Sequence, residues 1–116
     1  MFVLVGADNS SATFEFALAV REQRLGTLVG QPTGGNQRGI NGGAFYFVRL
    51  PSSGVEVDLP LIGFFPPGNR PDAGLTPDVI VRVTSKDVAE GRDPEVAAVR
   101  KLVTRASDGP RRGNQR

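Results

Sequence analysis

Apolar positions along the chain come in short runs separated by Gly, Pro and small polar residues. Phe2-Val3-Leu4-Val5 is a continuous apolar run with no polar alternation, the pattern of a strand buried on both faces inside a parallel or mixed sheet. Gly6-Ala7-Asp8-Asn9 turns the chain, and Ser10 or Ser11 stands where a helix cap is expected. From Ala12 to Arg24, Phe16, Ala17 and Val20, with Thr13, recur at helical spacing, while Glu15, Arg21 and Glu22 lie elsewhere on the wheel. This predicts a helix ended by Gly26. Thr27-Leu28-Val29 then reads as a second strand parallel to the first, so that strand, helix and strand form one right-handed βαβ unit.

Six glycines crowd between Gly30 and Gly43, a density suited to close backbone approach or to mobility. Ala44 to Leu50 and Gly54 to Leu59 flank Pro51-Ser52-Ser53, which is β-hairpin chemistry. Val55, Val57 and Leu59 alternate with Glu56 and Asp58, predicting one wet face, and Phe45, Tyr46 and Phe47 are expected to pack in the core and across strands. Pro60 to Pro77 carries five prolines and reads as an irregular extended loop. Within it, Phe64-Phe65-Pro66-Pro67 either meets a partner, a missing domain or a substrate, or covers the chain's own sheet. Asp78 to Val83 is a further strand. Asp93-Pro94-Glu95 is a helix start, and Val96, Val99, Leu102 and Val103 give that helix an apolar stripe to dock on the sheet.

With 116 residues the chain fits one small domain, residues 1–104, followed by a basic tail, 105–116, without apolar periodicity and expected to be disordered. A natural domain rarely opens inside a core strand, so the chain is expected to be the C-terminal part of a longer protein, or the product of a reading frame begun internally. The truncated sheet edge at Phe2 then predicts a homodimer through that edge. The net charge is only +2, and the tail arginines have no interleaved aromatic residues, which argues against nucleic acid. Without Cys or His, thiol chemistry, zinc sites and histidine bases are excluded within this polypeptide. No cofactor is indicated. No apolar run approaches the roughly 20 residues of a membrane span.

The chemistry-bearing candidates lie in the two polar loops around the first helix. Ser11 either caps that helix or attacks a carbonyl, because a helix N-terminus presents unpaired N–H groups and a positive dipole end. Gly34-Gly35-Asn36 either cradles a substrate backbone or an anion, or is a flexible connection. It matches neither a Walker loop nor a dinucleotide fingerprint.

Val3-Leu4-Val5, Asn9-Ser10-Ser11-Ala12-Thr13, Leu28-Val29-Gly30-Gln31-Pro32-Thr33-Gly34-Gly35-Asn36, Pro51-Ser52-Ser53-Gly54 and Gly74-Leu75-Thr76-Pro77-Asp78-Val79 occur in that order. In order and spacing the series resembles the C-terminal part of the catalytic domain of the tail-specific, or C-terminal-processing, serine peptidases. That family has a buried strand, a Ser-Ala-Ser-Ala-Ser-Glu-like turn into a helix and a Val-Gly-x-x-Thr-x-Gly-Lys loop. A Pro-Ser-Gly hairpin and a Gly-Ile-x-Pro-Asp strand follow. The resemblance implies an α/β fold of crotonase-like, Clp-protease-like βαβ units with a β-hairpin and a C-terminal helix, held here as a partial domain.

By position, the resemblance puts the nucleophile on Ser11 and one oxyanion donor on the backbone N–H of Ala12. The family's lysine base lies 25 residues after its serine, and 36 − 11 = 25 lands on Asn36, an amide that cannot take up a hydroxyl proton. The family's turn has an acid where this chain has Phe14. The Thr-Gly-Gly-Asn loop is similar to a divergent branch, with tricorn-type proteases and interphotoreceptor retinoid-binding protein modules. In that branch the base is a histidine from an earlier part of the chain. The implied substrate is a peptide or protein, the implied partner the missing N-terminal part, and the implied parent protein periplasmic or secreted. The isolated chain is expected to be inactive. The alternative is a non-catalytic binding or assembly module that keeps the half-fold.

Overall fold

A computed structural model of the chain describes residues 1–107. β1 (Phe2–Val5), β2 (Thr27–Gly30) and β7 (Val79–Ile80) form a parallel sheet in the order β1-β2-β7. Phe2 pairs with Thr27 and Val5 with Gly30, and α1 (Ser11–Glu22) crosses between these two strands. The predicted βαβ path is present. β1 is an edge strand, however, with Leu4 42% exposed, so it is not buried on both faces. β2 is the central strand, and Leu28 and Val29, pointing to opposite faces, are both fully buried.

The core lies between α1 and the Leu28 face of the sheet. It comprises Val5, Phe14, Ala17, Val20, Leu28 and Leu75, with Val3 and Leu18 packed against it. The buried stripe of α1 is therefore Phe14, Ala17 and Val20, and Phe16, assigned to that face from spacing, is 56% exposed. The two phenylalanines lie about 200° apart on the wheel, so only one can face the sheet. Nor does Gly26 end the helix. Gln23 is its C-cap, and Arg24 adopts a left-handed φ of 54°. Arg24 N–H donates to the Arg21 carbonyl and Leu25 N–H to the Val20 carbonyl, the paired bonds of a Schellman stop without its usual glycine.

β4 (Phe45–Arg49) and β5 (Glu56–Pro60) form the predicted hairpin around residues 51–54. It continues into β3 (Ile40–Asn41) and β6 (Gly63–Phe64), which sequence reasoning did not foresee. Gly42 N–H bonds the Ile62 carbonyl and Leu61 N–H the Ala44 carbonyl, so Gly43 is one extra residue, a β-bulge in a single long ribbon. Among the described residues no layer covers this ribbon. Phe45, Tyr46 and Phe47 are 46%, 61% and 59% exposed rather than core, and every residue of β5 is exposed, so the expected single wet face is not seen. Phe45 and Phe47 stack on one face, ring centroids 6.5 Å apart.

Only Val79–Ile80 of the predicted 78–83 strand joins the sheet. α2 (Ser85–Ala89) was not anticipated, although Thr84 and Asp87 form a reciprocal capping box. α3 (Pro94–Ser107) starts as predicted, with Asp93 Oδ1 accepting from Val96 N–H at 2.8 Å, and it contacts β1 and β2. Leu102 is half-buried, while Val103 is 47% exposed. α3 runs three residues past the boundary placed at 104, and the rest of the tail lies outside the described residues. Among the described residues no helix is long and apolar enough to cross a membrane.

Candidate active site

Parallel α/β sheets expose their functional loops at the carboxyl ends of the strands, and the candidate residues gather there. After β1, Asn9 N–H donates to the Gly6 carbonyl at 2.9 Å, and the Asn9 side chain accepts from Gly6 N–H at 2.7 Å, closing a self-locked turn. Ser10 follows in extended conformation at the N-cap, then Ser11 at φ 51°. A left-handed φ is strained for a residue with a Cβ. Here it swings the chain sharply from strand direction into helix and leaves Ser11 exposed at the helix head. Ser10 makes no capping bond to the first-turn N–H groups, and the first turn carries no acid. Neither serine therefore satisfies the expectation of a side-chain cap at Ser10 or Ser11, and the Ala12 end of the helix keeps its dipole uncompensated.

The Gly34–Asn36 bend lies against this turn. A Cβ at Gly34 would collide with the Ala7 carbonyl oxygen and come within 3.3 Å of that of Asn9. Gly35, at φ 53°, lies over Phe14, where an added Cβ would sit 2.5 Å from the ring. Glycine is favoured at Gly35 by the left-handed backbone and required by the buried ring. Phe14, the residue in place of an acid, is thus the floor on which the bend rests.

Asn36 is half-buried, its amide donating to Asp72 Oδ1 at 2.6 Å while its carbonyl oxygen accepts from Arg38 N–H at 2.8 Å. Arg38 in turn reaches Asp72 Oδ2 at 2.9 Å. The amide is held by this network and has no proton-accepting nitrogen.

Further cross-links fix the bend from below. Buried Thr33 accepts from Leu75 N–H through its hydroxyl at 2.8 Å, and its own N–H donates to the Leu75 carbonyl at 3.0 Å. Asp78 accepts from Leu28 N–H at 2.7 Å and pairs with Arg21 of α1, which also donates to the Thr76 carbonyl. The Thr-Gly-Gly loop and the Gly-Leu-Thr-Pro-Asp segment, 42 residues apart at Thr33 and Leu75, are therefore one latch.

Two clefts open beside these loops. The larger, about 610 Å³, is lined by Phe14, Glu15 and Leu18 of α1, by Asn36, and by Phe64 to Pro66 across from them. The smaller, about 340 Å³, lies between residues 4–9, Gln31 and Glu95. Glu95 Oε1 comes within 3.0 Å of where a Cβ on Gly30 would sit. Sequence reasoning missed Asp72, Thr33 and Glu95 as participants, since nothing local in the chain ties them to Ser11.

Residues 1–81, more than two thirds of the chain, match the model of peptidase family S41. The chain belongs to peptidase family S41. The match covers β1 through β7 and ends before α2, so the turn at Ser11, the Gly34–Asn36 bend and the latch all lie inside the S41 region. S41 membership makes this a serine-peptidase-related domain, of a family that acts on proteins. The tail-specific resemblance read from the motifs is thereby met at the level of the family. No individual curated protein matches the chain.

Proposed function

We propose that Ser11 is the nucleophile of a peptide-bond hydrolase and that residues 1–81 supply one part of its catalytic centre, within a Clp-like fold. The observation that carries this is the left-handed φ of 51° at an exposed serine heading an uncapped helix. Strain of that kind persists where the surroundings impose it, and here the locked 6–9 turn on one side and the Gly34–Gly35 bend on the other do so. In acyl transfer, Ser11 Oγ adds to the scissile carbonyl and the Ala12 N–H donates to the developing oxyanion. The Oγ proton must pass to a base, and Asn36 does not provide one. The base and the second oxyanion donor are therefore contributed by another segment of the catalytic domain. The neutral Asn36 held by Asp72 is also what a second reading needs, a binding module that has kept the scaffold without the chemistry.

Labelling of the catalytic domain with its base-bearing segment included, by a fluorophosphonate probe and read residue by residue by mass spectrometry, tests the assignment. Ser11 should label faster than Ser52 and Ser53, which are exposed but are not in the left-handed region, and Ser11→Ala should abolish that signal. Equal, slow labelling of all three would remove the nucleophile assignment and leave the binding module.

A further inference from the structure

The larger cleft runs along one face of α1 that begins at Ser11. Residues 11, 14, 15, 18 and 22 share a helical face, and Phe14, Glu15, Leu18 and Glu22 all line the cleft. One helical turn is about 5.4 Å and one extended residue about 3.3 Å. Ser11 does not itself line the cleft, but it heads the helix face that does, about one turn before Phe14 and Glu15.

The opposite wall is apolar and held in place. The Phe65 ring lies on Gly39 and Gly63, where added Cβ atoms would come within 2.5 Å and less of it. Phe64 and Phe65 remain 63% and 67% exposed, an apolar surface left open by the described residues. At about 610 Å³ the cleft is in the range of ligand pockets, roughly 300–1,000 Å³.

The polar side chains of the cleft are nearly all engaged. Arg70 donates to Glu22 at 2.8 Å, Asn36 is held by Asp72, and the Gln37 side chain donates to the Gly74 carbonyl at 3.0 Å. Glu15 alone among these lining residues makes no ion pair or side-chain hydrogen bond among the described residues, and it sits nearest to Ser11 along the helix after Phe14. The cleft thus offers one large apolar hollow and one unpaired negative charge.

We propose that this cleft is the subsite for a bulky apolar residue of the substrate flanked by Lys or Arg, whose cation is received by Glu15. Its role as a subsite rests on the reading of Ser11 as nucleophile, whereas binding in the cleft does not. The test uses the full chain, ¹⁵N-labelled, titrated with three blocked peptides: Ac-Lys-Phe-Lys-NH₂, Ac-Glu-Phe-Glu-NH₂ and Ac-Lys-Gly-Lys-NH₂. The first should shift the amides of Leu18, Ile40 and Phe65 and bind at least tenfold more tightly than the other two. Glu15→Gln should erase the preference for Lys over Glu, and Phe65→Ser, at an exposed position, should weaken the first peptide without unfolding the core. Equal affinities for the three peptides, or shifts confined to the 45–60 hairpin, would overturn the proposal. Cleft binding without Ser11 labelling would support the cleft and remove the nucleophile. Labelling without cleft binding would do the reverse.

Discussion

Substituting Ser11 by Gly and by Ala separates a strained backbone from an ordinary helix start. In an unstrained helix position, Gly is less stable than Ala by about 0.5–1 kcal/mol, because it loses more backbone entropy on folding. At the φ of 51° found for Ser11, a Cβ costs about 1–2 kcal/mol. Ser11→Ala keeps that cost and Ser11→Gly removes it. The order should therefore invert, Ser11→Gly being the more stable by about 0.5 kcal/mol. Thr13, two residues on and exposed, is the internal reference, and there Thr13→Ala should exceed Thr13→Gly as usual. Its hydroxyl bond to the Ser10 carbonyl is lost in both variants and cancels. The difference between the two sites should be about 1–2 kcal/mol, or about half to one molar in urea midpoint for a small protein, read by circular dichroism. Both Ser11 variants should also lose fluorophosphonate labelling. A Gly-to-Ala difference of the same sign and size at both positions would refute the strained placement.

Gly35→Ala combines a left-handed φ with a collision against the buried Phe14 ring and should cost about 2–5 kcal/mol, whereas Gly91→Ala, at φ 61° with open space around it, should cost only the backbone share of about 1–2 kcal/mol in the same urea assay. Thr33→Val leaves the Leu75 N–H buried without a partner and should cost about 1–3 kcal/mol, with Thr33→Ser close to wild type. The Asp87 carboxyl is held below the usual range by the Thr84 hydroxyl and N–H and then by Arg92. Its stabilisation of α2 is therefore complete above the unfolded value of about 4 and fades as pH falls through the lower folded value, so amide exchange of residues 85–89 should quicken in acid and Thr84→Val should blunt that response. Among the described residues β1 leaves one edge unpaired, and a dimer through it should give a doubled mass by light scattering that Leu4→Pro returns to monomer, while a monomer at high concentration would count against edge pairing.

Features set by local chemistry were legible in the sequence. The Phe2–Val5 run, the turn chemistry of 51–54 and the Asx-Pro-Glu start at Asp93 each need only neighbours in the chain, and each lies where it was expected. Choices between equivalent local solutions were not legible. Phe14 and Phe16 both suit a helix, and the one that faces Leu28 is decided by the sheet and by Gly35 resting on its ring. The alternation of Val55, Val57 and Leu59 correctly marks a strand, but alternation cannot say whether anything covers it, and none of the described residues does. The Schellman stop at Arg24 hid behind a nearby glycine because the more permissive residue was the obvious candidate.

The same distinction explains why the candidate site resists reading from sequence while its motifs do not. Ser11 and the Gly34–Asn36 bend are recognisable as residue types, but their relation depends on two side-chain contacts across long separations, Thr33 to Leu75 and Asp78 to Leu28. Those contacts fasten the bend to the far end of the S41 region, and the bend in turn presses on Phe14, one turn beyond Ser11. Strain at the serine and packing beneath the bend are therefore one structural unit. Weakening the latch should let Ser11 relax toward an ordinary helical φ, so Thr33→Val should slow Ser11 labelling under conditions where the protein is still fully folded. A labelling rate unchanged by Thr33→Val would mean that the 6–9 turn alone sets the serine, and that the latch serves stability without shaping the site.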